Sequence, residues 1–194
     1  MEVNDGKIME NSYANKQWKL TVKDIALVGM MVAVIEVCKV VMMGIPNVEL
    51  TTFWMIMFTL YFGNRVFLAV PVFILIEGTL FGFGLWWVMY LYVWPMLAVL
   101  TRFMHKMESA IGWSILAGIY GLMYGVFCSI PYFVIGTVDG GVLAGLQAGF
   151  AWFVAGIPFD MIHGISNFFI MLVLYHPVRA VMEKTKYISV TNER

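Results

Sequence analysis

Five ionisable side chains interrupt apolar stretches of this sequence: Glu36, Lys39, Glu77, Asp160 and His163. Glu36 and Lys39 are three apart, as are Asp160 and His163, and that spacing puts each pair on one face of a helix. Glu36 and Lys39 can neutralise each other as an internal ion pair, or line the floor of a pocket beside the Asn47-Val-Glu49 segment; the two readings are compatible. Asp160 and His163 follow Pro158, whose ring frees backbone carbonyls that a polar pair can satisfy. A metal site would need a third ligand, so no metal is expected there. Asn167 continues this polar stripe four residues beyond His163. Glu77 precedes Gly78 near the end of its run, where a carboxylate can reach water or face a ligand.

Aromatic residues form the second group. Trp86, Trp87, Tyr90 and Trp94 crowd one segment, and Tyr132 and Trp152 stand near the same end of later segments. They read as an interfacial belt or as a stacking pocket for a flat ring. Catalytic motifs are missing. There is no H-E-x-x-H, no G-x-S-x-G and no G-x-x-x-x-G-K-[ST], and no nucleophile stands with a base. No catalytic residue and no cofactor is expected. Cys38 and Cys128 lie in apolar runs and read as small buried hydrophobes.

The elements that must position these groups follow from composition. Of 194 residues, 61% are hydrophobic and 12% charged, against roughly 45–50% and about 25% in soluble domains. So few charges cannot cover a soluble surface, and the chain reads as an integral membrane protein. Twelve basic residues balance twelve acidic ones, and no basic stripe suggests a nucleic-acid partner. Six apolar spans are predicted: about 24–43, 50–62, 66–80, 88–103, 113–135 and 143–175. The breaks are Gly44-Ile-Pro-Asn47, Gly63-Asn-Arg65, a Gly-aromatic loop over 81–87, a polar loop over 104–112 and Thr137-Val-Asp-Gly-Gly141. Pro158 is expected to kink the last span, and His176-Pro177 to end it.

Orientation follows from Lys and Arg. With both termini inside, the inner segments hold eleven of the twelve bases: Lys7, Lys16, Lys19, Lys23, Arg65, Arg102, Lys106, Arg179, Lys184, Lys186 and Arg194. The expected fold is an all-α bundle of six transmembrane helices, N-in and C-in. Residues 1–23 form a cytoplasmic segment, 24–176 the membrane domain and 177–194 a cytoplasmic tail. No signal peptide is expected, because residues 1–20 are polar and no apolar stretch precedes Ile25. Ala26, Gly29 and Ala33 line the inner half of the first span, where small residues let another helix approach closely. Gly118, Gly121 and Gly125 form a second smooth stripe, read as internal packing.

Taken together, the chain resembles a substrate-binding S component of an energy-coupling factor (ECF) transporter, the vitamin-uptake class of ABC importers. The phrases Ile45-Pro-Asn-Val-Glu-Leu50, Thr59-Leu-Tyr-Phe-Gly63 and Gly156-Ile-Pro-Phe-Asp160 resemble those of S components from anaerobic Gram-positive bacteria. The resemblance implies a cell-membrane receptor that captures a micronutrient from outside. It implies a transmembrane coupling subunit and two ATPase subunits as partners, so ATP hydrolysis would be theirs. The docking motif of the family is A-x-x-x-A on the first span; Gly29 and Ala33 match its small character, with Gly in place of the first Ala, and Ala26 adds a contact. The family site regions contain Asn47, Glu49, Trp86, Trp87, Tyr90, Trp94, Tyr132 and Trp152, with the first outer loop as a lid. Acidic groups beside aromatics favour a ring with a positive charge or several donors. Cobalamin, a pyridoxine-like or pyrimidine precursor and a queuosine precursor all remain open. A small membrane enzyme, or an assembly subunit with no transported ligand, is the competing class.

Overall fold

The structure is a computed structural model that describes residues 20–191, with side chains through residue 184. Lys7, Lys16, Lys19, Lys186 and Arg194, which carry part of the orientation argument, lie outside the residues whose side chains are described. The described chain is all-helical: α1 (Val22–Met42), α2 (Thr51–Phe62), a 3₁₀ turn (Gly63–Arg65), α3 (Val66–Phe81), α4 (Leu85–Phe103), α5 (Ala110–Leu122) and α6 (Tyr124–Thr191). Three stretches are long and apolar enough to cross a membrane: Val22–Met42, Thr51–Phe81 and Ala110–Lys184.

Local chemistry sets the helix ends. Thr21 and Asp24 form a capping box at the start of α1, with Asp24 N–H donating to Thr21 Oγ1 at 3.2 Å and Thr21 N–H to Asp24 Oδ2 at 3.1 Å. Ser109 accepts from the Gly112 N–H to start α5. Gly63 and Gly82 stop α2 and α3 at φ of 58° and 90°, a region that carries little strain only without a side chain. Gly141 does the same inside α6: φ of 83° and ψ of 175° divide it into two back-to-back helices.

Contacts fix the directions. Arg65 Nε donates to Asp24 Oδ1 at 2.5 Å, and Lys39 reaches Glu77, so α1 and α3 run parallel. Trp54 Nε1 reaches Cys38 Sγ at 3.2 Å, so α2 runs in the opposite sense to α1. The stacked Phe73–Tyr90 pair sets α4 antiparallel to α3. Nearly every residue of α2 is buried, from Thr51 to Thr59, which suits a helix apolar on all sides at the centre of a bundle. The exterior is also apolar: Val37, Val41, Leu75, Phe150 and Phe169 are exposed, a pattern for hydrocarbon rather than water.

The glycine stripe is packing. A Cβ on Gly118 would meet Phe168, one on Gly121 would meet Gly164 and Asn167, and one on Gly125 would meet Asp160. Across the Gly141 turn, Gly136, Gly145 and Gly149 repeat the arrangement against Ala144, Thr137 and Phe133. These small residues let the two arms of the hairpin approach closely.

Several expected boundaries change. The loop predicted over 81–87 shrinks to three residues, because helix resumes at Leu85 and takes in Trp86 and Trp87. The break predicted over 137–141 is confined to Gly141, since the residues before it keep helical dihedrals. Pro177 also stays within helix, because the fixed φ of proline is itself helical and only one backbone bond is forfeited. The last helix therefore continues past His176-Pro177 to Thr191.

Candidate ligand-binding site

A polar cavity of about 180 Å³ lies among the ends of α1 and α2 and the facing parts of α4 and α6. Lys39, Asn47, Glu49, Thr51, Tyr90, Trp94, Tyr124, Asp160 and His163 line it. A second, more apolar cavity of about 310 Å³ shares Asn47, Tyr124 and Asp160 with the first and adds Gly125, Cys128, Trp152, Ala155, Gly156 and Phe159. Larger grooves on the outside of the bundle, such as the one between α4 and α5, have walls that are almost wholly apolar and offer nothing to orient a polar ligand.

Glu49 organises the mouth. Leu50, at the N-cap of α2, has no side-chain acceptor, and Glu49 supplies one. Its carboxylate accepts from the Thr51 N–H, from the Thr52 N–H at 3.1 Å and from Thr52 Oγ1 at 2.6 Å. The positive end of the α2 dipole favours an anion there. Glu49 Oε1 also lies 3.1 Å from His163 Nε2. Burial alone would push this carboxyl up, but the bonds from His163, Thr52 and Thr51 outweigh it and hold Glu49 at about 2. Ser166 Oγ donates to the Asn47 carbonyl at 3.3 Å. The 43–50 loop is thus bonded to α6 at two points above the cavity. Asn47 takes φ of 61°, a left-handed conformation that asparagine tolerates.

Lys39 has a different partner from the one its spacing suggested. Its ammonium pairs with Glu77 and donates to Tyr90 Oη at 3.3 Å, not to Glu36. Tyr90, Phe81, Phe73 and Trp86 have ring centroids within 5.1–6.0 Å of Nζ, close enough for cation–π attraction. Glu77 is 0% exposed, so it does not reach water. Both carboxylate oxygens of Glu36 are buried without a hydrogen-bond partner.

Seven residues singled out from the sequence share the polar cavity: Lys39, Asn47, Glu49, Tyr90, Trp94, Asp160 and His163. Glu36 and Glu77 lie behind it around Lys39. Trp86 sits edge-on to Tyr90, and Trp87 donates its Nε1–H to the Ile74 carbonyl at 2.8 Å. These two tryptophans serve the cage and the α3–α4 contact. Tyr132 stacks on Trp152 at 3.9 Å and 14°, and Trp152 belongs to the second cavity. Asn167 is buried beside Gly121, with neither amide atom bonded. Thr51 and Tyr124 were not anticipated. Thr51 follows Glu49 as the first residue of α2, and Tyr124 sits 4.9 Å edge-on to His163. The only sequence signal for Tyr124 was its place beside Gly125 in the small-residue stripe.

Among the described residues, no group of three or more His, Cys, Asp and Glu side chains could hold a metal ion. What the arrangement can do is bind: it combines aromatic walls, a fixed anion at the mouth, and the polar side chains of Asn47, Asp160 and His163. No family model, curated relative or solved structure matches the chain at a significant level.

Proposed function

We propose that this chain is the substrate-binding component of an ECF-type importer, a six-span receptor with both ends inside that captures a small vitamin-like ligand from outside. The observation that carries the reading is the polar cavity beneath a bonded loop, in an otherwise apolar bundle. Polar groups at this depth are costly unless they serve a ligand or one another. The loop that caps the cavity connects the first two helices, where the receptor family has its lid.

Placement of the bases supports the orientation. Asp24–Arg65 joins the start of α1 to the α2–α3 turn, and Tyr175 Oη donates to the Glu108 carbonyl, which joins the last helix to the α4–α5 loop. Arg65, Arg102, Lys106 and Arg179 therefore gather at the end of the bundle opposite Glu49, which is the cytoplasmic end by the positive-inside rule. Ala26, Gly29 and Ala33 are all exposed, and a Cβ on Gly29 would meet nothing within 4 Å. This face suits close docking of the transmembrane coupling subunit, with the two ATPases acting from inside.

The test is mass spectrometry of small molecules released from protein purified in detergent, with thermal stabilisation across a vitamin panel. A bound micronutrient is expected. Finding none, with no stabilisation by any compound, would leave an enzyme or an assembly subunit as the better reading.

A further inference from the structure

Resting on the orientation proposed above, but not on what is transported, we infer that the α4–α5 groove seats an acyl chain of an anionic phospholipid, its phosphate held by Arg102 and Lys106 at the cytoplasmic end. The groove has a volume of about 500 Å³. It runs between Met96, Leu100 and Met104 of α4 and Ile115, Ile119 and Met123 of α5 and its C-cap. All six side chains are exposed. Walls that give a polar ligand nothing to bond are suited to a hydrocarbon chain, which is held by dispersion alone. Methionine at three of the six positions lets the wall adapt to a flexible chain.

Length agrees with one leaflet. Met96 and Met104 are eight residues apart, as are Ile115 and Met123, which is about 12 Å along a helix. Half of a hydrocarbon core of roughly 30 Å is about 15 Å. Deeper than Met96 the helices close together: Tyr92 Oη donates to the Phe127 carbonyl at 2.7 Å and Tyr120 Oη to the Val93 carbonyl at 2.5 Å. The groove is therefore shut toward the middle of the membrane and open at the level of the headgroups.

Charge selects the headgroup. At the same end of the bundle, Arg65 pairs with Asp24 and Arg179 with Glu183. Arg102 and Lys106 flank Met104, are exposed, and have no acidic partner among the described residues. The turn between them curls back, with His105 Nδ1 2.8 Å from the Arg102 carbonyl, so both bases stand at one mouth of the groove. Glu108 is the acid of the same loop, and its carbonyl is bonded to Tyr175 of α6. Two lasting positive charges against one carboxylate attract a phosphate, which a guanidinium can hold bidentately. Each base near an anionic headgroup is worth about fivefold in binding, and a headgroup with no net charge gains little of this.

The experiment uses the full chain in detergent, incubated with equimolar phosphatidylglycerol and phosphatidylcholine of identical acyl chains, and native mass spectrometry reads the lipids retained. The wild type is expected to prefer phosphatidylglycerol about 10- to 30-fold, the product of two bases. Arg102→Gln with Lys106→Gln should bring the ratio to within about twofold. Arg65→Gln with Arg179→Gln, at the same end but paired elsewhere, should leave it unchanged. Ile119→Trp, at an exposed position in the groove, should lower retention of both lipids. A wild-type ratio near one, an equal loss from the Arg65 and Arg179 pair, or retention indifferent to Ile119→Trp overturns the inference. Orientation is checked separately with an impermeant maleimide on His105→Cys, where labelling above the wild-type background is expected in everted vesicles and not in whole cells. Labelling of whole cells overturns the orientation proposed above and the choice of leaflet with it. A failed lipid result with the label confined to vesicles overturns this inference alone.

Discussion

Glu49→Gln tests whether the first loop is held by charge. The glutamine keeps the shape of the side chain and can still accept from the Thr51 and Thr52 N–H groups, but it removes the negative charge facing the α2 N-terminus and His163. A carboxyl held at about 2 rather than its ordinary 4.5 carries roughly 3 kcal/mol of stability at neutral pH. The direction matters. Because the folded value is depressed, this stability is complete above about pH 4.5 and drains away as pH falls toward 2. Near pH 3 the wild type retains roughly half of it. For a chain of this length the loss converts to a drop of about 10 °C in melting temperature at pH 7. The assay is differential scanning fluorimetry in detergent, comparing wild type and variant from pH 7 to pH 3. The gap should be widest at neutral pH and should narrow steadily below pH 4.5. A gap that stays constant with pH, or one below about 2 °C at pH 7, would refute the electrostatic account of the loop.

Other substitutions probe separate parts. Lys39→Met leaves Glu77 buried without its ammonium and should cost about 3–5 kcal/mol, read as thermal stability, while Lys39→Met combined with Glu77→Gln should recover most of the loss. Gly125→Ala forces a Cβ into the place of Asp160 Oδ2 and should destabilise by about 1–3 kcal/mol, with ligand affinity falling in an equilibrium binding assay. On the proposed importer reading, Ala33→Leu leaves the cavity untouched and should abolish copurification with the transmembrane coupling subunit; retained assembly would refute docking through this face.

The helical class, the apolar exterior and most breaks were legible in the sequence, because composition and glycine or proline placement act locally. Gly63 and Gly82 ended helices where expected, through backbone conformations that side chains disfavour. Pro177 misled, since proline restricts a helix without leaving helical dihedrals. The site was legible only as a set of residue types. Spacing along one helix paired Lys39 with Glu36, but spacing carries no information about which neighbouring helix supplies a closer partner. The parallel register of α1 and α3 brought Glu77 to Lys39 instead. Likewise, Glu49 and His163 are 114 positions apart, and only the return of the last helix beneath the first loop joins them. By itself the sequence determined the apolar exterior, the helices and the stock of polar groups. The tertiary structure decided which of those groups satisfy one another and which, like Asp160 Oδ2 and the Trp94 indole, stay unbonded, because that depends on how closely glycine-lined helices approach.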